Sequence, residues 1–442
     1  MKNKLVFALV IVLLLGMGII AGSVLYSAVY LASSLANRLF LQQVIPIASV
    51  AVLGIVVLVT AFFALGIIRQ SRSRPLPRPR DEDLLPMTIL IPALNEEKVL
   101  ETCMDSIQRA TYPADKLEII IAYERPPRCR DRTPEIAEAL AMKYPNVKAV
   151  ANGSSHKSSK AGAMNNCMPL VKGEIIGIYD ADHIVKEDAL LRAAAQFAAD
   201  ERLGCISGKV MVRNMDYNMF TFLIGNEYTV INNFSRFLSE FLTGTHPLYG
   251  SNVYIRRKAL DAIGGFDEAS LSEDSELGMR LISKNYSMRI DYTIKSYEEP
   301  AINFEDWWHQ RVRWTRGSVD TLKKYFHESS GLSSKTFQTV LIYSFGSGGL
   351  LFSVILMGFL GFLLYVDIVP PIMYFAFCAP LAVLFAAESL QQIGEGRGSL
   401  KDMAMSIFVR PWFIFLYSLV GVYVFVLDLL DAQRTWEEVQ RI

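Results

Sequence analysis

Long apolar runs near both ends of the chain constrain its fold more than any other feature of the sequence. They cover residues 5–31, 44–68, 340–366, 371–390 and 405–430, and no comparable run lies between residues 68 and 338. A helix needs about 20 apolar residues to cross the hydrocarbon core of a bilayer. The sequence therefore predicts two transmembrane helices in residues 1–70, a polar domain in the middle and three transmembrane helices in residues 337–432.

The charges beside the second run predict the orientation of the chain. Residues 69–80 contain five arginines, and an excess of positive charge marks the cytoplasmic side of a membrane helix. We expect a multi-pass protein of the cell membrane with its middle domain in the cytoplasm and a tail, residues 433–442, outside. Residues 71–85 form a basic linker that three prolines keep extended. The alternative for the first run, a cleaved signal peptide after Lys2 and Lys4, is disfavoured by the length of the run.

Composition excludes some classes of function. The chain has 442 residues, 52% hydrophobic residues, a mean hydropathy of +0.27 and no formal net charge. A neutral chain gives no indication of nucleic-acid binding. The five cysteines are scattered without a CxxC spacing, so we expect reduced thiols and neither a disulfide framework nor a zinc site.

The middle of the chain alternates short apolar runs with helical patterns. Predicted strands cover residues 87–91, 117–122, 147–150 and 174–179, and predicted helices cover 96–109, 134–143, 159–170 and 186–200. Such alternation predicts a mainly parallel sheet with helices on both faces, and ligands of these sheets bind beyond the carboxyl ends of the strands. The expected domain, residues 86–300, is of the α/β class.

Two carboxylates follow the fourth predicted strand directly, in the sequence Tyr179-Asp180-Ala-Asp182. Residues i and i+2 of an extended chain point to the same side, and two acids brought together there favour a hard divalent cation. The pair thus predicts a metal and a phosphate-bearing substrate. In the alternative interpretation, one Asp ends the strand and the other caps a helix near Val185.

Three further loops are expected at the same edge of the sheet. Asn95 and Glu97 follow the first strand at a predicted helix N-terminus, where anions bind, although an Asn cap with acids in the first turn is by itself the better explanation. Glu124 follows the second strand and could accept hydrogen bonds from a nucleobase. Lys160 opens the sequence KAGAMN and could neutralise a diphosphate.

The sequence Leu271-Ser272-Glu273-Asp274 opens another predicted helix. Ser272 as a cap with acids behind it would be a complete structural explanation. The functional interpretation is that one acid is the base that activates an acceptor hydroxyl for attack on a phosphate-bearing donor.

Residues 301–330 combine tryptophans and arginines in the sequence QRVRW. These residue types are typical of an amphipathic helix at a membrane interface. They are also suited to ligands, because tryptophan rings stack on sugars and arginine binds phosphate.

Together these segments resemble the membrane-bound family 2 glycosyltransferases, whose catalytic domain has the GT-A fold. The family includes cellulose, chitin and hyaluronan synthases and the ceramide glucosyltransferases. The resemblance covers residues 86–317 and lies in the ordered motifs PxxNE, KAGAMN, DAD, GGF, SED and QRVRW. Glu124 and Ser272 depart from it, where the family often has Asp and Thr.

The resemblance implies roles for individual residues. Asp182 is expected to bind Mg²⁺ or Mn²⁺, and Asp274, beside Glu273, to be the catalytic base. Trp314 is expected to contact the acceptor. The expected donor-binding residues are Asn95, Glu97, Glu124, Lys160, Asp180, Gln310 and Arg313.

The implied activity is inverting transfer of a sugar from a nucleotide-diphosphate sugar, most simply a UDP-sugar, to an acceptor hydroxyl. We expect a processive polysaccharide synthase, with single transfer to a membrane lipid as the alternative. A more distant alternative is a transporter or receptor with a nucleotide-sugar-binding domain, for which Glu388 in an apolar run is the one supporting feature.

Overall fold

A computed structural model describes residues 61–153, 159–327, 389–396 and 399–430, with isolated helical positions at 54, 58, 382 and 385–387. The predicted spans at 5–31 and 340–366 lie outside the described residues, as do most of 44–68 and 371–390. The tail 433–442 also lies outside them.

The described middle of the chain folds around one eight-stranded sheet in the order β3-β2-β1-β4-β7-β6-β8-β5. The strands are β1 (Met87–Ala93), β2 (Leu117–Tyr123), β3 (Val147–Ala151), β4 (Ile175–Ile178), β5 (Ile184–Val185), β6 (Leu203–Val212), β7 (Val253–Arg256) and β8 (Ser287–Glu298). The helices are α1 (Leu100–Gln108), α2 (Thr133–Lys143), α3 (Lys160–Cys167), α4 (Ala189–Ala199), α5 (Met219–Val230), α6 (Arg236–Thr243), α7 (Arg257–Ala262), α8 (Glu273–Ser283), α9 (Phe304–His327) and α10 (Leu400–Leu429).

The sheet is mixed, whereas the sequence predicted a mainly parallel one. Strands β3, β2, β1 and β4 are parallel, but β7 runs antiparallel to both β4 and β6. The four predicted strands are confirmed, and they are the ones that form this parallel half. The prediction was wrong about β7 because this strand follows a loop at the carboxyl end of β4. It begins at that end and therefore runs antiparallel to β4.

Both faces of the sheet are buried, which explains why its strands are continuous apolar runs. Ile89 and Ile91 face one hydrophobic cluster, and Leu90 faces the other. A strand covered on both faces has no polar side to alternate with. A third cluster joins α5 and α10 through Trp307 and Trp308 of α9.

The membrane region is described only in part. In the described residues no single helix meets the length and hydropathy of a span, and one bent pair, Leu400–Arg410 with Phe415–Leu429, meets them together at an angle of 43°. This pair covers the fifth predicted span. The expectation of about five spanning helices is therefore not established by the described residues.

Candidate active site

A tight turn follows β4 and gathers the two acids. The amide of His183 donates to the carbonyl of Asp180 at 3.1 Å, and ligand atoms of Asp180, Asp182 and His183 lie within 4.8 Å of one another. The turn, and not strand alternation, brings them together. The capping alternative is wrong, because Asp182 leads into β5 and the next helix begins only at Ala189.

His183 supports this turn from beneath. It is fully buried, with Nδ1 3.0 Å from Ser296 Oγ and Nε2 3.3 Å from Glu298 Oε2. Burial lowers the pKa of His183, but the neighbouring carboxylates of Glu298 and Asp182 outweigh it and raise that pKa overall. With both ring nitrogens engaged, the hard oxygen atoms that fit Mg²⁺ or Mn²⁺ are those of Asp180 and Asp182.

The ends of β4 and β7 are tied together beside the turn. The Tyr179 hydroxyl bonds Asn252 Oδ1 at 2.9 Å and also contacts the Tyr254 hydroxyl. The amide of Asp180 donates to Ser251 Oγ at 3.0 Å. The acids after β4 and residues 250–252 before β7 therefore form one unit.

Lys160 connects this unit to the acids of α8. Its Nζ lies 2.6 Å from Asp180 Oδ1 and 3.4 Å from Glu273 Oε1, and it donates to the carbonyl of Gly250 at 3.0 Å. Burial lowers the pKa of Lys160, but the carboxylates of Asp180 and Glu273 more than offset this, so the pKa is raised and the lysine stays charged.

Asp274 is held at the centre of the site by backbone amides. Its Oδ2 accepts from Gly250 at 2.5 Å and its Oδ1 from Ser275 at 2.7 Å. Burial and the neighbouring charge of Glu273 raise the pKa of Asp274 to about 6, against the opposing effect of Lys160. A carboxylate with this pKa is mostly ionised at neutral pH and is a stronger base than an ordinary aspartate.

The backbone conformation at position 250 favours glycine. The φ of Gly250 is +47°, and a Cβ there would lie 3.6 Å from Asp274 Oδ2 and 3.7 Å from Lys160 Nζ. A side chain would be strained in this backbone region and would occupy the space between the lysine and the base.

Helix α9 places the QRVRW segment over these acids. The carboxylates of Glu273, Asp180 and Asp274 all interact electrostatically with Arg313, whose pKa burial nevertheless lowers. The helix approaches closely at Gly317, where a Cβ would be 1.9 Å from Ser272 Oγ. Ser272 makes no side-chain cap to α8, so the expected capping role is wrong and its side chain is used in this contact instead.

Sequence reasoning missed an ion pair between Arg311, inside QRVRW, and Glu227. Arg311 is fully buried and binds Glu227 of α5 through two hydrogen bonds, of 2.9 and 2.7 Å. Its guanidinium also donates to Gln310 Oε1 and lies 4.2 Å from the centre of the Trp314 ring. The available signal was an acid, Glu227, in an otherwise apolar helical stretch, because a buried charge needs a partner.

Glu124 lies where the sequence placed it, at the carboxyl end of β2. It is 8% exposed, and its Oε1 accepts from Arg128 at 3.1 Å and from Asn152 at 2.8 Å. The three side chains offer acceptor and donor groups side by side, as the edge of a nucleobase requires. Recognition of a nucleobase by Glu124 stays a prediction.

Asn95 and Glu97 bind a neighbouring loop in the structure. Asn95 has a φ of +56°, and its Oδ1 accepts from the amide of Arg130 at 2.7 Å. Glu97 Oε2 accepts from the amide of Arg132 at 3.0 Å. Neither lies at a helix N-terminus, because α1 begins at Leu100 and not at residue 96 as predicted. Their donor-binding role stays a prediction.

Comparisons with known proteins show what the chain is similar to. Residues 175–388 match the family described as glycosyl transferase family group 2. The probable glycosyltransferase YdaM of Bacillus subtilis strain 168 is 29% identical over 281 residues, which are 62% of this chain and 65% of YdaM. A β-monoglucosyldiacylglycerol synthase of Synechocystis is 30% identical over 239 residues, or 54% of this chain and 49% of the synthase.

At lower identity, a poly-β-1,6-N-acetyl-D-glucosamine synthase of Staphylococcus aureus strain COL is 22% identical over 262 residues, or 59% of this chain and 61% of that synthase. The chain thus spans about half to two thirds of the length of these relatives. Among solved structures, the mannosyltransferase PcManGT of Pyrobaculum calidifontis, in complex with GDP-Man and Mn²⁺, aligns with a TM-score of 0.54 at 19% identity. The alignment covers 86% of this chain and all of PcManGT, and it supports the GT-A fold. Residues 175–388 of the chain thus match a family 2 glycosyltransferase domain, and the fold is that of the GT-A glycosyltransferases.

Proposed function

We propose that the chain transfers a sugar from a nucleotide-diphosphate sugar to an acceptor hydroxyl, with inversion at the anomeric carbon. The observation that carries the proposal is the convergence of the Asp180–Asp182 turn, the base candidate Asp274 and Arg313 around Lys160. Such a transfer needs acids that can bind a metal cation, a separate acid with a raised pKa and two positively charged side chains for the diphosphate.

Each group has a distinct task in this mechanism. When bound to Asp180 and Asp182, Mg²⁺ or Mn²⁺ would supply positive charge against the diphosphate. Arg313, and Lys160 through its charge, add to the positive potential felt by the leaving group. Asp274 accepts the proton of the acceptor hydroxyl as the new C–O bond forms at the anomeric carbon. The bond from that carbon to the diphosphate breaks, and the nucleoside diphosphate leaves with its electron pair.

Membrane lipid is the acceptor class that the relatives favour. The synthase named for diacylglycerol is 30% identical to this chain, against 22% for the polysaccharide synthase. Single transfer to a lipid is therefore our first candidate. A growing glycan, which the sequence alone favoured, is the second, because a polysaccharide synthase is also among the relatives. For either acceptor we propose a multi-pass protein of the cell membrane with a cytoplasmic catalytic domain.

A screen of labelled UDP- and GDP-sugars with membranes that contain the full chain tests the proposal. We expect one donor to release nucleoside diphosphate in the presence of Mg²⁺ or Mn²⁺, and EDTA to abolish the release. A single-sugar product in the organic extract identifies a lipid acceptor, and a long water-soluble product identifies a glycan. Absence of release with every donor would overturn the proposed function.

A further inference from the structure

A buried ion pair joins α5 to the helix that carries QRVRW. Arg311 Nε donates to Glu227 Oε1 and Arg311 Nη2 to Glu227 Oε2. The arginine is fully buried and the Glu227 side chain is 11% exposed. A fork of two parallel hydrogen bonds fixes the direction of the guanidinium as well as its position.

The same guanidinium contacts two residues of the motif, Gln310, which is expected to bind the donor, and Trp314, which is expected to contact the acceptor. Arginine carries only donors, so the atom of Gln310 that faces Arg311 Nη1 has to be the oxygen. The Nε2 donors of Gln310 are then the group left for the diphosphate. Arg311 also lies over the Trp314 ring, which means that only the opposite face of that ring can receive an acceptor.

Helix α5 is held in place from its other side by the C-terminal part of the chain. Asn226, next to Glu227, donates to Ser406 Oγ of α10 at 3.0 Å. It also accepts from Gln392 Nε2 at 2.6 Å. Glu227 therefore projects from a helix that is fixed to the C-terminal part of the chain. Its carboxylate contacts Arg311 of QRVRW from outside the active site.

We propose that Glu227 is a positioning residue for sugar transfer, which acts through Arg311 to orient the Gln310 amide and to cover one face of Trp314. This inference rests on the proposed function. Glu227 has no role in binding donor or acceptor directly; its carboxylate sets the angle of the guanidinium, and the guanidinium sets the two motif side chains.

A double-mutant cycle tests the inference. Glu227→Gln keeps the size of the side chain but removes the charge that orients Arg311, so we expect kcat/KM to fall about tenfold or more. In a Trp314→Ala background, where one oriented ring is already gone, the same change should lower kcat/KM by only about twofold to threefold. Thermal unfolding of each purified variant shows whether it is folded. If Glu227→Gln does not accumulate, Arg311→Lys takes its place in the cycle, because lysine keeps the charge beside Glu227 but cannot reach Gln310 and Trp314 together.

The matched control is Glu118→Gln. Glu118 also pairs with a cation, Lys148, at 2.7 Å, and its side chain is 14% exposed, but it lies towards the amino end of β2, away from the site. We expect this variant to keep its kcat/KM. Equal losses from Glu227→Gln in both backgrounds, or no greater loss than from Glu118→Gln, would overturn the inference. Failure of the proposed function is distinguishable, since the unaltered chain would then release no nucleoside diphosphate.

Discussion

Asp274 combines two properties that oppose each other, a buried position and a need to be charged. Burial and the nearby charge of Glu273 favour the protonated form and raise the pKa to about 6. Two backbone amides and Lys160 hold the charged form in place. At the scale of single residues, this balance makes the chemistry of the site sensitive to pH just below neutrality.

We therefore expect the rate of sugar transfer to fall as the pH drops through about 6, where Asp274 takes up a proton. Because the pKa is raised from 3.8 to about 6, the active, ionised form of Asp274 predominates above pH 6, is half-populated near pH 6 and is lost as the pH falls further. A pH profile of kcat with a saturating donor checks this expectation.

Asp274→Asn should bind the donor nearly normally while transfer is abolished; an equal loss of binding would contradict the role of base.

At the scale of elements, the contact between α9 and the segment before α8 sets the distance between QRVRW and the base. Gly317 lies directly on Ser272, so the two segments are closer than any side chain at 317 would allow. Residue 272 precedes Glu273 and Asp274, and residue 317 lies one turn after Arg313 and Trp314. A change in this contact would move both groups at once.

Gly317→Ala should lower kcat/KM about tenfold or more, because a methyl group 1.9 Å from Ser272 Oγ forces the two segments apart. Steady-state kinetics of the purified chain measures this loss. We expect the second change Ser272→Gly to restore part of the rate by making room. Gly421→Ala is the matched control: it is also a helical glycine, and a Cβ there meets no atom of the described residues within 4 Å. A similar loss in both single variants would contradict the packing explanation.

The sequence was sufficient for the parallel half of the sheet and for the acids after β4, since continuous apolar runs ending in polar residues are a local signal. It was not sufficient for β6 or β8, or for the direction of β7, which depend on long-range pairing. The Glu227–Arg311 pair shows the same limit, because nothing local reveals that two residues far apart in the chain share one buried contact. Motif residues could be identified one by one, but not the contacts that orient them.

At the scale of the whole molecule, five membrane spans and a cytoplasmic catalytic domain stay predictions that fusions can test. Alkaline phosphatase is active only outside the cytoplasm, so a fusion after residue 85 should be inactive and one after residue 442 active. Green fluorescent protein at the same two positions should give the opposite pattern. An active phosphatase after residue 85 would contradict the orientation, and an inactive one after residue 442 would contradict the number of spans.

The ties between β4 and β7 have a consequence for how such an enzyme can diversify. Because Tyr179 and Asp180 are bonded to Asn252 and Ser251, the separation between the two acids and Gly250, which in turn holds Asp274, is set by the sheet itself. Substitutions on the surface of that unit cannot alter the spacing to suit a new acceptor. We expect acceptor preference to change through substitutions in α9 and in the segments that support it. The ends of β4 and β7 should keep one geometry when the substrate changes.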